Sequence, residues 1–228
     1  MNLSSFIYKS KFYKNPVIRK LISLSLRITY LFDGAKDKKI CGCSLVKYVP
    51  SEYRKTMGAT GSQSTCYWVL DSIFKDASIA ENDRFIDVGC GKGRVIAYML
   101  WKKYPCSLTG VELNDSVASY AKKWTQKFDN TNIISGSAFD LDYNDYTILF
   151  MGRPFEPEVF YTFIDKLENE LTHPVRLYYW VDQQSGDHLN DRDGWTMLKR
   201  EYTFVSHGLF MSRTPQRYSV WTYDPHEK

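Results

Sequence analysis

Two carboxylates and a run of glycines carry the chemistry this chain can do. Asp87 stands two places before Gly89, and Gly89, Gly91 and Gly93 alternate with Cys90 and Lys92. The spacing is G-x-G-x-G, whereas the fingerprint of a dinucleotide site is G-x-G-x-x-G. Glu112 follows 19 residues after Gly93, at the end of the apolar run Leu108-Thr109-Gly110-Val111. A carboxylate at that place suits a ribose diol, because it can accept hydrogen bonds from two hydroxyls. Glycine is needed for backbone angles that side chains forbid and for close approach of a ligand.

These residues must be held by a strand, a turn and a helix. Phe85, Ile86 and Val88 form an apolar run, and Val95, Ile96, Met99 and Leu100 recur at helical spacing after the glycines. The helix N-terminus behind the turn offers free N–H groups and partial positive charge. Further strands are expected at 107–112, 133–134, 146–151 and 175–181, and helices at 65–74, 115–128 and 156–171. Ser62 or Ser64 is the expected cap of the first of these helices, and Asn114 or Asp115 of the second. Residues 183–194 are polar, with room for a short helix. The segments 195–205 and 209–223 alternate and read as a closing hairpin turning at Ser206-His207-Gly208. Strands alternating with helices imply an α/β fold with a mostly parallel sheet covered on both faces.

The chain has 228 residues, 43% hydrophobic and 25% charged, with a net charge of +4. That length suits one domain with an extension, drawn here as a basic N-terminal extension over 1–45 and a main domain over 46–228. Residues 1–32 hold Lys9, Lys11, Lys14, Arg19, Lys20 and Arg27 and no acid. From Pro16 onward they read as a basic amphipathic helix. It is too interrupted by charge to span a bilayer and lacks a signal-peptide cleavage site. It packs on its own domain, as a lid over the substrate site in one form, or lies at an anionic membrane surface. Residues 33–39 read as a polar connector. Basic residues cluster only at this end, which argues against nucleic acid as a partner. Five cysteines, an odd number without framework spacing, fit reduced thiols in a cytoplasm. Cys41-x-Cys43 has no second close pair, so no metal site is expected.

The order of motifs resembles the class I S-adenosylmethionine (SAM) methyltransferases. It is most similar to a bacterial subgroup reading D-x-F-I-D-x-G-C-G-K-G-R and then G-V-E-L, matched here from Asp83 to Arg94 and from Gly110 to Leu113. That subgroup is distantly related to the histone-lysine methyltransferases with a Rossmann-like fold. The resemblance implies a Rossmann-like sheet of seven strands, one antiparallel and supplied by the C-terminal hairpin. It implies SAM as cofactor, with Asp87, Gly89, Cys90, Gly91 and Gly93 passing its methionine part and Glu112 and Leu113 at its ribose. Ser137, Ala138 and Phe139 fall where the family binds adenine, with Ser137 in place of an acid and Asp140 able to shift in. After the fourth strand the subgroup has Asn before Pro-Phe, but this chain reads Gly152-Arg153-Pro154-Phe155. Arg153 cannot accept a bond from an amine, so the loop points to a hydroxyl or anionic acceptor, a small molecule or glycan, held by Arg153, Pro154 and Phe155. A protein side chain as acceptor, or SAM or nucleotide binding without transfer, are the other readings. His173, His188 and His207 are the histidines weighed as a base, and none is assigned as catalytic.

Overall fold

The computed structural model describes residues 12–206 and 210–227. Its centre is a seven-stranded sheet in the order β3-β2-β1-β4-β5-β7-β6. The strands are β1 (Arg84–Val88), β2 (Ser107–Glu112), β3 (Thr131–Ser135), β4 (Ile148–Met151), β5 (Val175–Trp180), β6 (Trp195–Ser206) and β7 (Phe210–Tyr223). The first five pair in parallel. β7 runs antiparallel between β5 and β6, so the terminal hairpin supplies the one reversed strand. The expected turn, His207 included, lies outside the described residues.

Alternation along the buried strands feeds two apolar layers. Phe85, Phe150 and Tyr178 face one side, with α3 (Tyr67–Ile73), α4 (Arg94–Trp101) and α5 (Asp115–Thr125). Ile86, Leu149, Leu177 and Tyr179 face the other, against α6 (Pro157–Glu170). Successive strand side chains point to opposite faces, so a sheet buried on both sides reads as continuous apolar runs. β2 and β3 lie on one side of β1, and β4 and β5 on the other. The chain thus changes direction between β1 and β4, and open α/β sheets bind ligands beyond the strand ends at such a point.

α1 (Pro16–Cys41) corrects one expectation. Asn15 caps it by accepting from Val17 N, and Gly42 ends it at φ 79°. The segment 33–39, expected as a connector, is the C-terminal half of this helix. Its two acids, Asp33 and Asp37, are buried, while Lys38 and Lys39 face solvent. α1 packs against β7 and α4. A single turn, α2 (Arg54–Met57), follows. α3 is capped by neither Ser62 nor Ser64: Cys66 occupies the cap position without a side-chain bond, and Ser64 Oγ donates to Leu45 O at 2.6 Å. The polar stretch after β5 holds two short 3-10 turns, Asp182–Gln184 and Gly186–Leu189.

Candidate cofactor and acceptor cleft

The loop after β1 is fixed before any ligand is considered. Gly89, Gly91 and Gly93 have φ of 73°, 55° and 85°, the left-handed region that glycine enters without strain. Gly89 N and Cys90 N both donate to Val111 O at 2.9 Å, which ties the loop to β2. A Cβ on Gly89 would come within 2.5 Å of Pro154 Cβ, and one on Gly93 within 2.9 Å of the Trp124 ring. Protein packing, as well as backbone angle, therefore demands glycine at these two positions.

Glu112 closes the other side. One carboxylate oxygen accepts from Gly91 N at 2.9 Å and the other from Asn114 N at 2.9 Å. Each keeps lone pairs for further donors. Burial pushes its pKa up, and the bonds from Asn114 N and Gly91 N hold it back. Asp87 is 2% exposed, and its Oδ2 has no hydrogen-bond partner among the described residues. Burial first, and the Glu112 charge second, raise its carboxyl well above the usual range. A buried polar atom without a partner is rare and expensive.

Asp87, Gly89, Cys90, Gly91, Glu112, Leu113, Ser137, Ala138 and Phe139 line one cleft at the switch point. Gly93 is the expected cofactor residue that does not line it; as the N-cap of α4 it makes room for Trp124, whose indole N–H donates to Lys92 O at 2.9 Å. Ser137 Oγ accepts from Phe139 N at 3.1 Å, and a hydroxyl so used still has a hydrogen to donate and a second lone pair. Asp140 is exposed and stays out of the cleft.

The fourth-strand loop behaves differently. Gly152, Pro154 and Phe155 line the cleft, but Arg153 does not. Arg153 has φ 54°, a strained value for a residue with a side chain. Its carbonyl accepts from Thr60 Oγ1 at 2.7 Å. The residue is half-buried, and no carboxylate is paired to its guanidinium among the described residues. Its charge acts toward Tyr179, whose phenol burial pushes up to about 12 while Arg153 holds it back.

Two parts of the cleft escaped sequence reasoning. The first is residues 57–65, where the sequence offered only Ser62 or Ser64 as a helix cap and a helix start at Thr65. Thr60 N donates to Pro154 O and Glu156 N to Gly58 O, both at 2.8 Å, while Ser62 and Val49 exchange main-chain bonds. This strap roofs the cleft and leans on the fourth-strand loop. Its signal was the run of small and hydroxyl residues from Gly58 to Thr65, which permits close backbone approach. The second is Arg94, whose side chain is 1% exposed. Its guanidinium bonds Asp37 at 2.6 and 3.1 Å and Asp33 at 3.2 Å. Asp37 also accepts from Leu45 N at 2.8 Å and from Tyr67 OH at 3.0 Å. The first residue of α4, which lines the cleft, is thereby fastened to α1.

The histidines fall away from the cleft. His173 precedes β5, at the opposite end of the strands, with its ring between Pro174 O and Asn144 O at 3.0 Å each. His188 stacks on Tyr161 at 4.0 Å and contacts Arg192 at 2.8 Å. His207 lies outside the described residues. Among the described residues no group of acids, cysteines and histidines is placed to hold a metal ion, and all five cysteines are free.

Residues 86–150 match the family model described as a methyltransferase domain. An (S)-tetrahydroprotoberberine N-methyltransferase from Eschscholzia californica is 23% identical over 56% of this chain, which spans only 39% of that protein's length. An RNA methyltransferase from Salinibacter ruber, solved with S-adenosyl-L-homocysteine, superposes with a TM-score of 0.52 at 17% identity, over 72% of this chain and 95% of that one. A methyltransferase from Pyrococcus furiosus gives 0.56 at 14% identity, over 87% and 97%. At such identities the structural likeness speaks for the fold. Sheet order and likeness to these structures define a Rossmann-like fold, and residues 86–150 within it carry the match to a methyltransferase domain.

Proposed function

We propose that the chain binds SAM in this cleft and transfers its methyl group to a hydroxyl or anionic acceptor, a small molecule or glycan, presented at the Arg153 rim. The observation that carries the SAM half is the pairing of an unpartnered, buried Asp87 Oδ2 with a Glu112 carboxylate that has lone pairs to spare, in one cleft at the switch point. Glu112 holds the ribose hydroxyls, the loop from Gly89 to Gly91 passes the methionine part, and Ser137 to Phe139 meet the adenine. Bound there, SAM supplies a methyl group already activated on a sulfonium, so no metal is required. The chain's own task is to orient the acceptor and keep water out, for which the strap and the Pro154-Phe155 wall are built. Every cofactor-facing position falls within 46–228, and the extension 1–45 steadies Arg94 through Asp33 and Asp37. The closer resemblance, to the bacterial subgroup related to histone-lysine methyltransferases, rests on the Asp83–Arg94 motif.

The acceptor half rests on Arg153, a cation between the cleft-lining residues Gly152 and Pro154 that has no carboxylate partner among the described residues. Such a group can hold a carboxylate or phosphate by a forked contact. The relatives act, by their names, on an alkaloid nitrogen in one case and RNA in another, so the charge pattern that argued against nucleic acid does not exclude it. The test is an acceptor screen with methyl-labelled SAM. Turnover of an anionic or hydroxyl acceptor, lost in Arg153→Ala while SAM affinity stays, is expected. Amine or RNA methylation that Arg153→Ala leaves intact contradicts the acceptor assignment. SAM binding with no transfer to any acceptor contradicts the enzyme reading.

A further inference from the structure

α1 turns two unlike faces outward and inward. Ile22, Thr29, Asp33 and Asp37 are buried against the domain. About 140° round the helix, Val17, Leu21, Leu24, Ile28 and Leu31 follow one another at alternating steps of four and three, with Phe32 beside them. All six are open to solvent, from 38% for Ile28 to 74% for Leu31. Large apolar side chains set in a continuous stripe mark an interaction surface rather than scattered exposure.

Charge says what that surface meets. Lys14, Arg19, Lys20 and Arg27 are exposed around the stripe, and Lys38 and Lys39 continue along the last turns. The helix has two acids, Asp33 and Asp37, and both are buried in the grip of Arg94. Its solvent-facing surface thus presents apolar side chains and cations with no carboxylate. A second copy of the same helix would set like charges against like, although the spacing of the stripe would otherwise suit a two-helix seam. No described helix is long and apolar enough to cross a membrane. We infer that α1 lies along an anionic lipid surface, its apolar stripe in the headgroup boundary and its lysines and arginines among the phosphates. The inference is independent of the chemistry proposed above. Asp33, on the opposite face of α1, bonds the cleft residue Arg94, so docking would place the helix between the lipid and that side of the cleft.

The experiment is co-sedimentation of the full chain with phosphatidylcholine vesicles, with and without phosphatidylglycerol. Binding to the anionic vesicles is expected, at least about tenfold stronger than to phosphatidylcholine alone. The triple variant Leu21→Asp, Leu24→Asp, Leu31→Asp should lose it while melting as the wild type does, because those side chains are exposed. If that variant fails to fold, Arg19→Glu with Lys20→Glu and Arg27→Glu should abolish the preference for anionic vesicles instead. Equal binding to both vesicle types, no binding, or a concentration-dependent dimer in place of vesicle binding overturns the inference. So does unchanged vesicle binding in both variants.

Discussion

The two halves of the cleft are built by different means. The cofactor half hangs on strand ends: Asp87 on β1, Glu112 on β2, and a glycine loop tied to β2 by two main-chain bonds. The proposed acceptor half hangs on loops, with residues 57–65 fastened to the fourth-strand loop through Thr60 and Gly58. A strand end is set by its pairing along the whole sheet, whereas a strap held by a few bonds can shift. The difference teaches where to look for fixed binding and where for adaptation to a particular acceptor.

The largest effect should come from cutting the anchor on the cofactor side. Arg94→Met leaves Asp33 and Asp37 buried without their cation, and losses of about 3–5 kcal/mol follow the breaking of buried pairs. Chemical denaturation of the full chain measures it. A loss as small as that of a strap mutation would erase the contrast between the halves.

The next prediction separates the two acids that share Arg94. Asp37 takes the forked contact from Arg94, while Asp33 has a single bond to Arg94 at 3.2 Å and a like charge nearby. Burial, reinforced by Asp37 and opposed by Arg94, raises the Asp33 carboxyl from 3.8 to about 6. The folded chain then keeps a proton that the unfolded chain has released, so stability declines as pH rises between about 4 and 6. Asp33→Asn has no such proton, and relative to it the wild type should lose up to about 3 kcal/mol across that window. Denaturation midpoints at several pH values show the slope. A slope of opposite sign would mean that the ion pair outweighs burial.

On the acceptor side, Thr60→Val removes the bond to Arg153 O and keeps the shape. The expected loss of stability is about 1 kcal/mol, with KM for the acceptor rising and SAM affinity unchanged. Equal damage to SAM binding would show that strap and glycine loop act as one body.

Legibility followed the same division. The glycines, Asp87 and Glu112 announced themselves because local chemistry fixes them: left-handed angles at φ 73° and 55°, and carboxylates at strand ends. The parallel strands followed from apolar runs and the closing hairpin from alternation, while the seven-stranded sheet with one reversed strand was what the family resemblance implied. Residues 33–39 misled because charge in a sequence reads as exposure, whereas Asp33 and Asp37 find their partner 61 and 57 positions away. The Thr60–Arg153 contact spans 93 positions, and no periodicity signals it. Arg153 was expected at the acceptor because it stands where the resembled subgroup has Asn before Pro-Phe; its backbone is left-handed, its carbonyl accepts from Thr60 on the strap, and it does not line the cleft.

The central claim is that Asp87, the glycine loop and Glu112 form a SAM site. Titration calorimetry of the full chain with SAM, repeated on Glu112→Ala, tests it most directly. The account predicts binding by the wild type and a loss of roughly ten- to a hundredfold in the variant, the worth of charge-assisted bonds to two hydroxyls. No heat with the wild type, or the same affinity in a folded Glu112→Ala, would contradict it.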